Sequence, residues 1–204
     1  MASHSGERSP AFIHIDMDDL WAVGECYGVP VPPELRHHIS EGAIPRFREL
    51  FRRANVRATF FLVGRDLESP AYVEAVKGLL ADGHAVANHS YSHRLDFRAI
   101  DERQMLEEIT RCHALIESEL DCRATGFRAP GYAWSRGLIA ALARAGYRYD
   151  ASLMPSPYGG VFRWMDSRLQ KRANSTEVSV KTQYPEFADT FNSLSPVQTS
   201  FGYP

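Results

Sequence analysis

The chain has 204 residues, 44% of them hydrophobic and 24% charged, the balance of one soluble globular domain rather than a disordered chain. A formal net charge of -2 supplies no field for holding a polyanion, which argues against nucleic acid as a partner. The three cysteines, Cys26, Cys112 and Cys122, form no CxxC pair and read as reduced thiols. No run approaches the ~20 apolar residues of a membrane span, and the polar residues 1–10 lack a signal-peptide core, so the expected location is cytoplasmic.

Residues 1–10 read as a flexible tail, and 11–204 as a single domain. Residues 12–18 form a short alternating strand that ends in acid. Residues 21–42 contain Gly24, Gly28, Pro30, Pro32 and Pro33 and read as a loop. Its aromatic residues Trp21 and Tyr27 either stack on a sugar across a cleft or pack beneath the loop. Apolar Ile44, Phe47, Leu50 and Phe51 give an amphipathic helix over 44–55. A strand over 57–64 follows, then a helix over 71–82 closed by Gly83, and a strand over 84–88. Next come a helix over 101–120, a strand over 125–128, a helix over 135–145 ending at Gly146, and a strand over 147–150. Beyond Met154 the pattern weakens, with 177–181 as one further strand. Strand and helix alternating in this way predict a parallel α/β architecture. With no GxGxxG or P-loop present, a barrel with its chemistry at the C-terminal strand ends is the expected form.

Four clusters carry the chemistry. On the first strand, alternation places His14, Asp16 and Asp18 on one face and Ile13, Ile15 and Met17 on the other. Acids on an inward face need a metal or a proton, although Asp18 and Asp19 alternatively cap a following turn. The run Asn88, His89, Ser90, Tyr91, Ser92 and His93 puts two histidines at i and i+4, one side of a helical turn. With one carboxylate they make the three-ligand set of a catalytic zinc; as plain surface histidines they mean nothing. In Phe127, Arg128, Ala129, Pro130, Gly131 and Tyr132, a buried Arg128 needs a carboxylate, and Asp16 is the natural partner; an exposed arginine before a Pro-Gly turn is the alternative. The fourth is Asp150, which by itself could be a turn residue.

These elements, in this order and with Ala58, Thr59, Phe60, Phe61, Leu62, Val63 and Gly64 as a second strand, resemble the polysaccharide deacetylases, carbohydrate esterase family 4, also called the NodB-homology domain. The resemblance runs from Phe12 to Met154. It implies a distorted (β/α) barrel and a metal-dependent hydrolase that removes N-acetyl groups from a sugar or polysaccharide, acting on amide bonds other than peptide bonds. It further implies one divalent metal, zinc or another first-row ion, on Asp18, His89 and His93, with Asp16 as general base and Arg128 holding that base. Pro130, Gly131 and Tyr132 would line the oxyanion site through the N–H of Gly131 or Tyr132, and Asp150 would orient the catalytic acid.

Two departures stand out. Asp16 and Asp18 bracket Met17 where most members have adjacent aspartates, so Asp19 competes with Asp18 as ligand. The family's late acid histidine is also missing, since all eight histidines lie at or before His113. The sequence thus reads as a C-terminally incomplete barrel, about two β/α units short of closure, with His14 the first candidate for an internal acid. The competing functions are a cyclic-amide or ureide hydrolase of the allantoinase type on the same fold and a non-catalytic sugar-binding pseudoenzyme.

Overall fold

The computed structural model describes residues 11–153; the expected tail at 1–10 and the strand at 177–181 lie outside them. Five parallel strands form one sheet in the order β1 to β5: β1 (His14–Met17), β2 (Thr59–Leu62), β3 (Ala85–Asn88), β4 (Gly126–Phe127) and β5 (Tyr149–Asp150). The helices are α1 (Leu20–Tyr27), α2 (His38–Ala54), α3 (Pro70–Ala81), α4 (Glu102–Leu120) and α5 (Arg136–Arg144). This is the α/β arrangement expected of a (β/α) barrel of the deacetylase type.

The strand sequences suit burial on both faces, as parallel sheets require. Phe60, Phe61, Leu62 and Val63 are all fully buried. Phe60 and Leu62 join Ile44 and Phe51 of α2, Val76 and Leu79 of α3, and Ile109, Cys112 and Ile116 of α4 in one core. Each such side chain stabilises by roughly 1.5–3 kcal/mol on burial. Phe61 points the other way, edge-on to the imidazoles of His14 and His89.

The starts of α4 and α5 follow their caps. Asp101 and Gln104 make a reciprocal capping box at α4, and the Ser135 side chain accepts from Leu138 N at α5. The expected loop over 21–42 is corrected. Asp19 caps α1, and α2 starts at His38, six residues before the expected Ile44. One side chain accounts for both. Asp19 Oδ1 accepts from Leu20 N at 2.8 Å and from Ile39 N at 3.1 Å, while Oδ2 accepts from Ser40 N at 3.4 Å and from the Ser40 hydroxyl. Gly24 does not break α1 but lets Val31 lie against it, since a Cβ there would sit 2.3 Å from Val31 Cγ2.

Register sets the site. Met17, Leu62, Asn88, Phe127 and Asp150 stand in one row across the sheet. Asp18, His89 and Arg128 are each one residue beyond that row, at the C-terminal strand ends where barrel chemistry resides.

Candidate metal centre and its surroundings

Three side chains converge at these strand ends. His89 Nε2 and His93 Nε2 each lie 3.2 Å from Asp18 Oδ1. Asp18 Oδ1 is buried without a well-formed hydrogen bond among the described residues, and three atoms of metal-ligand type face one another. A tetrahedral cation with bonds of about 2.0–2.2 Å sets its ligand atoms roughly 3.3–3.6 Å apart, close to this spacing. The residues therefore fit a divalent ion. Burial opposes ionisation of Asp18, but the two imidazoles outweigh it and hold the carboxyl well below the usual carboxylate range. His89 and His93 rise in return, against the opposing effect of their own burial, because Asp18 faces both.

The remote ring nitrogens are also engaged. His89 Nδ1 is 2.7 Å from Arg128 O, which fixes the tautomer that leaves Nε2 as a ligand atom. His93 Nδ1 lies 3.7 Å from Cys26 Sγ at the end of α1.

The two histidines do not share a helical turn, which corrects the i and i+4 expectation. The backbone is irregular here, with Ser90 at φ 68° and His93 at φ 55°. Two residues without an assigned role in the sequence reading hold it. Buried Asn88 accepts from Ser90 N at 2.8 Å and donates to Ile109 O and Tyr147 Oη. Glu108 of α4 accepts from Tyr91 N, Ser92 N and the Ser92 hydroxyl. Asn88 heads the histidine run and was findable; Glu108, far along a helix, carries no local signal.

Beside the centre, Arg128 Nη1 donates to Asp16 Oδ1 at 2.6 Å, the partner expected from sequence. Nε donates to Ala151 O at 3.1 Å, and Nη2 lies 2.9 Å from His14 Nδ1. The guanidinium covers the Phe61 ring at 4.3 Å, and Arg128 as a whole is 8% exposed. His14 therefore accepts from an arginine, and burial, then the Arg128 charge, lowers its pKa. A neutral acceptor is poorly suited to the acid role first considered for His14.

Gly131 and Tyr132 both have left-handed φ, at 60° and 54°. The Tyr132 N–H donates to Ala129 O. Its ring lies 5.4 Å from the Arg128 guanidinium, and burial and the Asp16 charge raise its phenol. Asp150 is not in contact with the convergent trio. Its Oδ1 accepts from the Ser152 hydroxyl at 2.5 Å, and Ser152 Oγ accepts from Ala129 N at 2.7 Å. Asp150 thus braces the segment containing Pro130, and burial pushes its carboxyl up to about 6.

Asp19 is not part of this trio, and Trp21 is no sugar platform. Trp21 is 3% exposed, donates from Nε1 to Asp66 Oδ1 at 2.5 Å and is covered by Arg65. Tyr27 is half-exposed at the end of α1. No helix of the described residues is long and apolar enough to cross a membrane.

Comparison with known proteins gives the family and the fold. A peptidoglycan deacetylase of Helicobacter pylori is 28% identical over 148 residues, which is 71% of this chain and 49% of that protein. A Mycobacterium smegmatis structure has the same fold with a TM-score of 0.62 at 22% identity, covering 70% of this chain and 50% of that one. A family 4 carbohydrate esterase from Streptomyces lividans, solved with acetate, has a TM-score of 0.51 at 22% identity, covering 76% of this chain and 67% of that one. The chain spans about half the length of the H. pylori relative. The family model for polysaccharide deacetylase matches residues 30–149, more than half of the chain, and the protein belongs to that family.

Proposed function

We propose that the protein removes N-acetyl groups from an N-acetylated glycan, with a zinc ion or another first-row dication on Asp18, His89 and His93. The observation that carries this reading is the convergence of Asp18 Oδ1, His89 Nε2 and His93 Nε2 beside a carboxylate gripped by a buried arginine. Two nitrogens and one oxygen are a donor set that zinc shares with other first-row ions, so availability helps decide the occupant. The bound ion supplies Lewis-acid polarisation of a carbonyl and a more acidic water.

The chain's own residues divide the remaining work. Asp16 takes a proton from the attacking water, and Arg128 fixes the position of its carboxylate. The Gly131 N–H stabilises the oxyanion; this choice over Tyr132 rests on the Tyr132 amide being committed to Ala129 O. Asp150 acts through Ser152 on the Ala129 amide, holding the turn that presents Gly131. The H. pylori relative, a peptidoglycan deacetylase, favours a peptidoglycan strand or its fragments as substrate.

The test is acetate release from N-acetylglucosamine oligomers and peptidoglycan fragments, with metal content measured on the same sample. Release that disappears on chelation and in His89→Ala supports the reading. Release indifferent to both, or cleavage of a cyclic ureide instead, overturns it.

A further inference from the structure

A second polar chamber is built from Asp19, His37 and Asp66. Asp19 is 1% exposed and Asp66 is fully buried. His37 Nδ1 lies 3.6 Å from Asp19 Oδ2 and 3.4 Å from Asp66 Oδ1, and makes no hydrogen bond among the described residues. The three side chains offer ligand atoms all within 4.8 Å of one another. Two buried carboxylates this close repel unless a cation or a proton lies between them.

Two further atoms mark the same spot. Asp66 Oδ2 is buried without a partner among the described residues, although Trp21 satisfies Oδ1. The Tyr72 hydroxyl, on a residue 4% exposed, is likewise unpartnered, and the charges acting on it most are Asp66 and then Asp19. Natural proteins rarely leave such groups unmatched. Arg65 does not serve them directly, since it stacks on Trp21 and pairs with Glu25. The 3.4 and 3.6 Å separations match the roughly 3.3–3.6 Å between ligands of a tetrahedral ion. The His37 side chain is 39% exposed, which gives the chamber an opening to solvent.

We propose that Asp19, His37 and Asp66 hold a second divalent cation, of the borderline first-row class that takes mixed nitrogen and oxygen ligands. Its place is structural. Asp19 already ties the starts of α1 and α2 together, and Asp66 lies in the Gly64–Glu68 turn after β2, so the ion joins three segments around the strand end that carries Asp18. The assignment does not depend on the one at Asp18.

The probe is zinc ion alone, added to the metal-stripped full chain, with bound equivalents counted by equilibrium dialysis and elemental analysis. The wild type should bind two equivalents. His89→Ala should keep one, and Asp66→Asn and His37→Gln should each keep one, held by the centre at Asp18. His37→Gln changes a partly exposed side chain and is read if Asp66→Asn fails to fold. Zinc should also raise the melting temperature of His89→Ala but not of His89→Ala combined with His37→Gln. One equivalent in the wild type, lost in His89→Ala and kept in both chamber variants, would overturn this proposal and leave the centre at Asp18 standing. One equivalent lost in the chamber variants and kept in His89→Ala would do the reverse. No bound zinc in the wild type would overturn both.

Discussion

Arg128→Met is the most informative single perturbation, because one side chain serves the candidate base, a backbone carbonyl and a histidine. Methionine retains much of the apolar stem over Phe61 but removes every donor. Breaking a buried ion pair costs about 3–5 kcal/mol; the Asp16 side chain is 22% exposed, so about 2–3 is the appropriate range. The Ala151 carbonyl and His14 Nδ1 each lose a donor, adding about 1 kcal/mol apiece. The expected total is about 4–5 kcal/mol. Asp16→Asn alone should cost about 2 kcal/mol, since it leaves Arg128 without its carboxylate. In the double variant neither charge is stranded, so its loss should fall about 2 kcal/mol short of the sum of the singles. Urea denaturation followed by circular dichroism, with chelator present to exclude metal linkage, measures all four forms. Additivity within about 0.5 kcal/mol would refute the pairing as an energetic unit. Arg128→Lys should recover only part of the loss, because one ammonium cannot serve three differently placed acceptors.

Four further outcomes follow. Asp18→Asn should remove the metal from the centre, and Asp19→Asn should leave that metal bound while destabilising the starts of α1 and α2; metal content in a His37→Gln background, where only the centre at Asp18 is filled, together with a thermal melt separates them, and the opposite pattern would move the ligand to Asp19. Glu108→Ala should lower zinc affinity at the centre by about 10- to 100-fold, because it frees the backbone between the histidines; an unchanged dissociation constant would show that Asn88 alone suffices. Asp150 has a folded-state pKa near 6, above the ~3.9 of an unfolded chain, so its contribution is fully present below about pH 4 and lost as pH rises through about 6. Asp150→Asn should flatten that slope in urea midpoints taken across this range, and a slope equal to the wild type's would reject the assignment. Gly24→Ala should destabilise by about 1–3 kcal/mol through collision with Val31, and a neutral melt would mean that residues 29–31 move aside freely.

What was legible in the sequence is what obeys a local period. Alternation on β1 placed Asp16 opposite Met17, and the structure sends Met17 into the core and Asp16 to Arg128. The strands and the helices from α3 onward follow the same rule, shifted by a residue or two at their ends. The failures have a common cause. A reader of residues 21–42 sees glycines and prolines, and the apolar period of the helix shows only from Ile44 onward. In the structure α2 begins earlier because the Asp19 carboxylate, some twenty residues upstream, accepts from Ile39 and Ser40. The histidine pair misled in the opposite way: the i and i+4 spacing suggested a helix, yet convergence comes from two left-handed residues held by Asn88, Ser90 and Glu108. The choice between Asp18 and Asp19 is a finer case. They are neighbours of identical chemistry, and alternation along the first strand favours Asp18 without saying what Asp19 does instead. The extended backbone at Asp19, φ −80° and ψ 167°, marks the end of the strand and the start of α1. One carboxylate therefore belongs to the strand end, facing His89 and His93, and the next belongs to the helix, as its cap. A one-residue shift of that boundary would exchange their places, so the position of the α1 cap decides which aspartate faces the histidines.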